Sequence, residues 1–232
     1  MAEFQEQVMG MTGLTIDNSS TTPSRAEFSQ FLNDGVLEVT NRCITLKPQD
    51  KNDFTRVSSL QVANATLDLN GAEIISVVRA DGSTASNFRP CSKIEPSLQS
   101  QVTDVDSLSY ASKYHPVYMV DDNGTISVFP VAADDSGKDS FKVYYVNNSP
   151  AETDGSALDH ASTGIKYFPS DKIYLVILYA AIKSLEAKMA EYLIEEEDSE
   201  LVQATTANLN ALKQQYQNAF SIMAPQQMAP SQ

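Results

Sequence analysis

The sequence predicts an α+β fold in which an N-terminal helix and a C-terminal antiparallel helical hairpin form a helical bundle, with a large antiparallel β domain inserted between them. Apolar residues recur at spacings of three and four within 23–45 and again within 168–222, which is the period of an amphipathic helix. The stretch 46–167 instead contains short β-prone runs, Asn-Gly and Asp-Gly pairs and no sustained helical period. With 232 residues and 42% hydrophobic composition, the chain can bury a sizeable core.

The first predicted helix begins after a polar stretch, TIDNSSTTPS, so we expect residues 1–22 to form an N-terminal arm. Ser24 and Glu27 have the spacing of a capping box, which marks a helix start. One apolar stripe then follows the helix through Phe28, Phe31, Leu32, Val36, Val39 and Cys43. Gly35 weakens a helix by about 1 kcal/mol relative to Ala, which suggests that a neighbouring helix approaches the backbone there.

The predicted β domain is marked by three turn signals: Asn70-Gly71, Asp81-Gly82 and Asn123-Gly124. Each pair lies between β-prone runs, the strongest short-range signature of a β-hairpin. The run FKVYYV is a further alternating strand, and the alternation predicts that Tyr144 and Tyr145 face opposite sides. The segment IEPSLQSQVTDVDSLSYASKY has mixed signals, and a short helical turn and an irregular loop both remain open.

Two helices are predicted near the C-terminus, the first with Ser170 as N-cap and the second after the acidic run at 195–199. Their apolar seams predict contact with the first helix, and residues 223–232 have too little apolar content to fold alone and are expected to form a flexible tail. The predicted core of the bundle is Phe28, Leu32, Val36, Val39, Leu175, Leu178, Ile182, Leu185, Met189, Leu209, Leu212 and Tyr216.

The run IYLVILYAAI at 173–182 carries more apolar surface than one seam requires. Ten helical residues rise about 15 Å, half the thickness of a bilayer core, so the run is too short to span a membrane. Its second apolar side consists of Ile173, Val176, Ile177 and Ala180. The first helix and the β domain can cover this side within one chain, or it forms a subunit interface whose burial contributes about 5–10 kcal/mol before association costs. The interface is the interpretation carried forward.

The composition argues against nucleic-acid readers and membrane proteins. Thirty acidic residues against sixteen basic ones give a net charge of −14, which repels phosphate backbones. The N-terminus has no basic region before an apolar one, so we expect no signal peptide, no membrane association and synthesis in the cytoplasm. Cys43 and Cys91 match no metal spacing and are expected to be thiols.

No recognisable catalytic site emerges from the sequence. His160 lies near Ser156, Asp159 and Ser162, but no G-x-S-x-G turn presents a nucleophile, and His115 precedes a predicted strand. The acidic clusters lack the spacing of a calcium loop, and no phosphate-binding or dinucleotide fingerprint occurs. We therefore expect a protein that is not an enzyme and that uses no cofactor and no metal.

In this organisation the chain resembles the head-to-tail adaptor, or neck, proteins of tailed bacteriophages over most of its length. The stretches that carry the resemblance are SRAEFSQFLNDGVLEVTNR at 24–42, DVDSLSYASKYHPVYMV at 104–120, SVFPVA at 127, FKVYYVN at 141 and FPSDKIYLVILYAAIKSLEAKMAEYL at 168–193. The large β insertion departs from the simplest helical members of that family.

The resemblance implies a structural virion protein in the phage neck, made in the host cytoplasm. Its partners would be copies of itself in a ring, commonly of twelve, together with the portal protein and downstream tail or nozzle proteins. DNA would pass through the ring without tight binding, which suits an acidic chain. Two alternatives remain: another virion component such as a tail terminator or tail-tube protein, or a carbohydrate-binding module or hydrolase on the β domain with His160, Tyr144 or Tyr145 as contacts.

Overall fold

The fold is mixed α and β, as seen in a computed structural model that describes residues 2–62, 66–84, 86–121, 124–132, 138–194 and 199–223. These residues form two compact units. The helical unit comprises the chain up to Phe54 and again from Ser149, and the β unit comprises Thr55–Asn148. The predicted β domain, 46–167, is therefore too long at both ends.

The described residues contain five α-helices: α1 (Phe4–Thr12), α2 (Arg25–Leu46), α3 (Gln99–Thr103), α4 (Ile173–Ile194) and α5 (Ser199–Met223). Short 3₁₀ turns occupy Pro48–Phe54, Pro96–Leu98 and Ser170–Lys172. The strands are β1 (Thr55–Val57), β2 (Leu67–Asp68), β3 (Ile74–Ala80), β4 (Phe88–Pro90), β5 (Ser92–Lys93), β6 (Val117–Val120), β7 (Thr125–Phe129) and β8 (Phe141–Val146). The C-terminal tail predicted from residue 223 lies outside the described residues from 224 onward.

Helix α1 corrects the expectation that residues 1–22 form an arm. Phe4 and Val8, four residues apart and therefore on one side of the helix, are both buried. The helix ends at Gly13, whose left-handed φ of 72° lets its N–H donate to the carbonyl oxygen of Met9 at 2.9 Å. Ile16 beyond it is buried too. The N-terminus therefore contributes side chains to the core of the helical unit.

Helix α2 begins as its sequence predicts. The Ser24 backbone N–H donates to Glu27 Oε2 at 2.8 Å, and the Glu27 N–H donates to Ser24 Oγ at 3.3 Å, which completes the capping box. Farther along, Gly35 lies against α4: a Cβ added there would be 3.0 Å from Tyr179 Cδ1 and 3.3 Å from Val176 Cγ1. The neighbouring helix that Gly35 suggested is α4.

Residues 149–167, expected in the β domain, belong to the helical unit. Their only described bridge joins Ala151 to Ala157, because the stretch lacks the apolar alternation that a strand needs. Carbonyl oxygens of this stretch instead accept hydrogen bonds from the N-terminal helices. Ser162 O accepts from the Phe4 N–H at 3.0 Å, and Leu158 O accepts from Asn33 Nδ2 at 3.1 Å.

The β unit contains two four-stranded sheets, ordered β1-β8-β3-β4 and β2-β7-β6-β5. All described strand pairs are antiparallel except β5 with β6, which are parallel. Side chains of both sheets form one core cluster: Leu69, Val77, Tyr118, Ile126, Val128, Phe141, Val143 and Tyr145. A second cluster, Val102, Ala111, Met119 and Phe129, joins α3 to side chains of β6 and β7. The segment with mixed signals thus contains a short helix that covers a sheet.

The turn signals are correct as turns, but one of them joins different partners from those expected. Asn70 and Gly71 have φ values of 49° and 75°, and the Ala72 N–H donates to Leu69 O at 3.0 Å. However, β2 pairs with β7, and β3 pairs with β4 and β8, so this turn links the two sheets and closes no hairpin. The pairs β3–β4 and β6–β7 do form antiparallel hairpins across Asp81-Gly82 and Asn123-Gly124, although Asn123 itself lies outside the described residues.

Candidate assembly surface

The start of α4 is enclosed by its own chain. Val176 and Ala180 are 0% exposed and Ile177 is 4% exposed, while Ile173 is half-buried. These four residues were expected to form a subunit interface, and their burial corrects that expectation. A side chain with no accessible surface in a single folded molecule has none left for a neighbouring copy.

Three helices supply the cover, since α1, α2 and α5 all contact α4. Gly35 allows α2 to approach Val176 and Tyr179 closely, and the Tyr179 ring lies 6.3 Å from the ring of Tyr216 on α5. Helix α1 is the cover that the sequence did not reveal, because residues 1–22 were taken as an arm. With α1 folded, one polypeptide hides the surplus apolar side.

The residues predicted for the bundle core lie inside the helical unit. Eleven of the twelve are buried, and Met189 is half-buried: the buried ones are Phe28, Leu32, Val36, Val39, Leu175, Leu178, Ile182, Leu185, Leu209, Leu212 and Tyr216. Burial raises the pKa of the Tyr216 hydroxyl. Arg42 of α2 stacks over Phe220 of α5, with 4.3 Å from its guanidinium carbon to the ring centre. Helix α5 therefore also meets α2.

Exposed apolar side chains instead lie on the outer side of α5 and at the start of α4. Tyr174 is 43% exposed and Ile222 is 85% exposed. Both line an open groove of about 450 Å³, which we call the α5 groove; it is lined by Tyr174, Ala211, Gln214, Gln215, Asn218, Ala219 and Ile222. Apart from the tyrosine and the isoleucine, these side chains are alanines and uncharged amides.

Charges are scarce along α5. Between Leu201 and Met223 the only charged residue is Lys213. Its Nζ lies 2.9 Å from Glu186 Oε1 on α4, and Lys183 contacts the other oxygen of Glu186 at 2.8 Å. Burial raises the pKa of Glu186, but the hydrogen bonds from both lysines outweigh it and hold that pKa below its ordinary value of 4.5. The α5 groove itself thus contains no charged side chain.

The chemistry-bearing residues are not brought together as a catalytic group within the described residues. His115 is exposed, and its backbone N–H donates to Ser112. Ser162 is fully buried and its hydroxyl donates to Glu152 Oε2 at 2.8 Å and to Asp159 Oδ1 at 3.2 Å; the described hydrogen bonds of nearby His160 are made by its backbone. In the described part of the chain, no group of three His, Cys, Asp or Glu residues is placed to hold a metal ion.

Tyr144 and Tyr145 face opposite sides of β8, as the alternation predicts. Tyr145 belongs to the core between the sheets, whereas Tyr144 is half-buried. The two rings therefore share no platform for a sugar. In the β unit, exposed apolar side chains instead cluster in the segment 104–114, where Leu108 is fully exposed and Val105 is 71% exposed.

Both cysteines are free thiols. Burial raises the pKa of Cys43, and it raises the pKa of Cys91 to about 12, so neither thiol is a ready nucleophile at neutral pH.

Sequence reasoning missed Tyr174 and Ile222 as exposed apolar residues because both lie in helices whose other faces are strongly apolar. A usable signal was present: a helix of 25 residues with one charge after its first turn, in a chain with 20% charged residues. Such a helix has no solvated charged face of the kind that surface helices usually present.

Over the residues that the structure describes, no helix combines the length and the hydrophobicity required to cross a membrane. Comparison of the sequence with protein-family models gives no match, and comparison with curated proteins gives none either.

Proposed function

We propose that this chain is a structural protein of a tailed bacteriophage, a head-to-tail adaptor that forms an oligomeric ring between the portal and the tail. The observation that carries the proposal is its two-unit organisation. Helices from both ends of the chain form one unit, and the β unit Thr55–Asn148 is inserted between them. This is the organisation on which the resemblance to adaptor proteins rests, over most of the length of the chain.

Within the helical unit, we propose that α2, α4 and α5 form a helical bundle in which α4 and α5 are an antiparallel hairpin. Three contacts between α4 and α5 support this arrangement: Tyr179 with Tyr216, Glu186 with Lys213 and Met189 with Thr206. As the residue number rises along α4, that of its partner on α5 falls. A rigid element of this kind can pack side by side with copies of itself.

The charge suits a passage for DNA. Thirty acidic and sixteen basic residues give −14 per copy, and a ring multiplies that charge. Because tight DNA binding requires cationic side chains that displace counterions, an acidic wall lets the duplex slide without adhering. The exposed apolar residues of segment 104–114 and of the α5 groove are surfaces that an assembled particle would cover.

The test is binding to the portal protein encoded in the same viral genome. The purified chain is mixed with assembled portal rings, and the product is separated by size and imaged by negative-stain electron microscopy. We expect an added ring of density at one end of the portal. If portal rings elute and look unchanged in the presence of excess chain, the proposal fails.

The same images separate an adaptor from a tail terminator or tail-tube protein. Those components would stack on themselves or on tail tubes and leave the portal bare. A carbohydrate-binding module is less well supported, since Tyr144 and Tyr145 lie on opposite faces of β8.

A further inference from the structure

The outer surface of α5 has the composition of a contact between helices. Its α5 groove combines two exposed apolar side chains, Tyr174 and Ile222, with alanines and amides. Alanine lets a second backbone approach closely, and uncharged amides can bond to one another without the cost of burying a charge. Large apolar side chains in such a setting act as anchors when they are covered. We infer that the α5 groove is the surface on which a second copy of this chain docks.

Charge identifies the occupant as another copy. Each copy carries −14, so two copies repel each other wherever their acidic surfaces meet. The other long helices present charged residues outward: α2 has Glu27 and Glu38 exposed, and α4 has Lys183 and Glu191 partly exposed. A cationic partner would be attracted to those acidic surfaces, and a nucleic acid would require cations. The uncharged groove favours a partner that has the same excess of negative charge.

The pairing of Lys213 strengthens this argument. It is the one charged residue between Leu201 and Met223, and Glu186 of the same chain already neutralises it. A copy that docks on α5 therefore meets no unpaired cation along this stretch of the helix. The contact is built from shape and apolar area, and its strength should not depend on a specific ion pair.

The size of the surface sets the strength of the contact. From Leu201 to Ile222 the helix rises about 33 Å, and a helix about 10 Å wide then offers on the order of 330 Å². A standard interface buries roughly 800 Å² on each partner, so one α5 contact is weak by itself. In a closed ring every copy uses such a contact on two sides. The inference rests on the proposed function for this ring, whereas the contact can be tested without a portal.

The chain's own tail is the competing occupant. Residues 224–232, APQQMAPSQ, follow directly after α5, carry no charge and lie outside the described residues. A segment of nine residues spans up to about 30 Å, enough to reach the groove. The experiment therefore includes a chain that ends at residue 223.

The decisive variant is the double substitution Gln214→Glu and Gln215→Glu in the α5 groove. Glutamate has almost the shape of glutamine, and both positions are exposed, so the fold is retained while two negative charges enter the contact. The matched control is Gln99→Glu with Gln101→Glu on α3, where both positions are also exposed. The two variants have the same net charge, which cancels the general repulsion between copies.

Self-association of the full-length proteins is measured by sedimentation equilibrium over a wide concentration range, at low and high salt. We expect the wild-type chain to associate weakly and more strongly at high salt, where repulsion is screened. The groove variant should lose at least tenfold in association constant relative to the α3 control. Equal constants for the two variants would overturn the inference. A wild-type chain that is monomeric at every concentration, with groove residues still accessible to labelling on portal rings, would overturn it as well.

Hydrogen exchange at the α5 amides separates the two occupants. Protection that rises with protein concentration and persists in the chain ending at residue 223 supports a second copy. Protection that is independent of concentration and disappears in the shortened chain assigns the groove to the tail and overturns the inference. If portal binding fails while the groove variant still weakens self-association, the docking surface stands and the adaptor function falls.

Discussion

At the scale of single residues, close approaches of the backbone matter most in this molecule. Gly35 permits the contact of α2 with α4, and Gly124 allows one turn of the β unit to touch another. A Cβ on Gly124, whose φ is 84°, would lie 2.9 Å from the backbone nitrogen of Gly71. Gly10 in α1 differs, because a Cβ there meets nothing within 4 Å. The same residue type thus has opposite consequences at different positions.

The Gly35→Leu variant should destabilise the protein. Its Cβ alone would lie 3.0 Å from Tyr179 and 3.4 Å from the Val176 carbonyl oxygen, and overpacking of this kind costs about 1–3 kcal/mol. The matched variant Gly10→Ala should instead stabilise the protein by up to about 1 kcal/mol through helix propensity. Urea denaturation followed by circular dichroism measures both. A Gly35→Leu protein as stable as the wild type would show that α2 does not pass α4 this closely.

Asp81 should make stability depend on pH in the acidic range. Its buried carboxylate accepts hydrogen bonds from Ser83, Asn87 and Arg89. The bonds from Ser83 and the charge of Arg89 hold the pKa of Asp81 below its ordinary value of 3.8. Because the folded-state pKa is the lower one, this contribution to stability is complete above the unfolded-state value and is lost as the pH falls through the folded-state value.

We therefore expect Asp81→Asn to be less stable than the wild type at neutral pH, with a difference that shrinks as the pH falls from about 5 to 2. Thermal denaturation at a series of pH values measures this difference. The exposed Asp106→Asn variant controls for the loss of one negative charge. A difference between Asp81→Asn and the wild type that stays constant over this range would contradict the expectation.

At the scale of elements, α1 decides how α4 is covered. It is nine residues long, too short to be stable alone in water, so packing against the rest of the helical unit must hold it in place. Its hydrogen bond from the Phe4 N–H to Ser162 O also ties residues 149–167 to the helical unit. The apolar stretch of α4 needs no other subunit because this element is present.

Phe4→Ala should destabilise the chain by about 3–5 kcal/mol, since Phe4 is 1% exposed. An N-terminal arm would predict almost no effect, so the two interpretations separate clearly. Glu6→Ala, at an exposed position of the same helix, is the control and should change stability by less than about 0.5 kcal/mol. Chemical denaturation provides the measurement, and a Phe4→Ala protein as stable as its control would return residues 1–22 to the status of an arm.

Elements whose signals are local could be predicted from the sequence, and elements that depend on distant partners could not. The capping box of Ser24 and Glu27 fixed the start of α2, and the Asn-Gly and Asp-Gly pairs marked real turns. The pairing of β2 with β7 joins residues far apart in the chain, so no local pattern revealed it. Phe4 and Val8 offered a single pair at a spacing of four, too short a pattern to outweigh the polar stretch that follows.

The candidate site was mispredicted for a related reason. Hydrophobic surplus in Ile173, Val176, Ile177 and Ala180 correctly indicated burial, but a sequence does not say which chain provides the cover. Exposed surface is defined by what remains after packing, so Tyr174 and Ile222 could be identified only with the helices in place. The scarcity of charge along α5 was the one signal visible beforehand.

At the scale of the whole molecule, the two units have separate cores and should respond separately to damage. Phe4 is buried in the helical unit, and Phe141 belongs to the core between the two sheets. We expect Phe4→Ala to lower hydrogen-exchange protection in α2 and α4 more than in β8, and Phe141→Ala to do the reverse. Hydrogen exchange measured by mass spectrometry resolves the peptides. A uniform loss of protection across the chain in both variants would show that the units unfold as one.

The pairing of β1 with β8 has a consequence for how such a chain can evolve and be engineered. Thr55, the first residue of the β unit, lies opposite Val146, near its last, so the polypeptide enters and leaves the unit on neighbouring strands. Ends this close can be bridged by a few residues in place of the whole insert. The β unit is in this sense a cassette: recombination or gene design could excise it, or replace it with another fold whose termini are adjacent, while both breakpoints stay fixed.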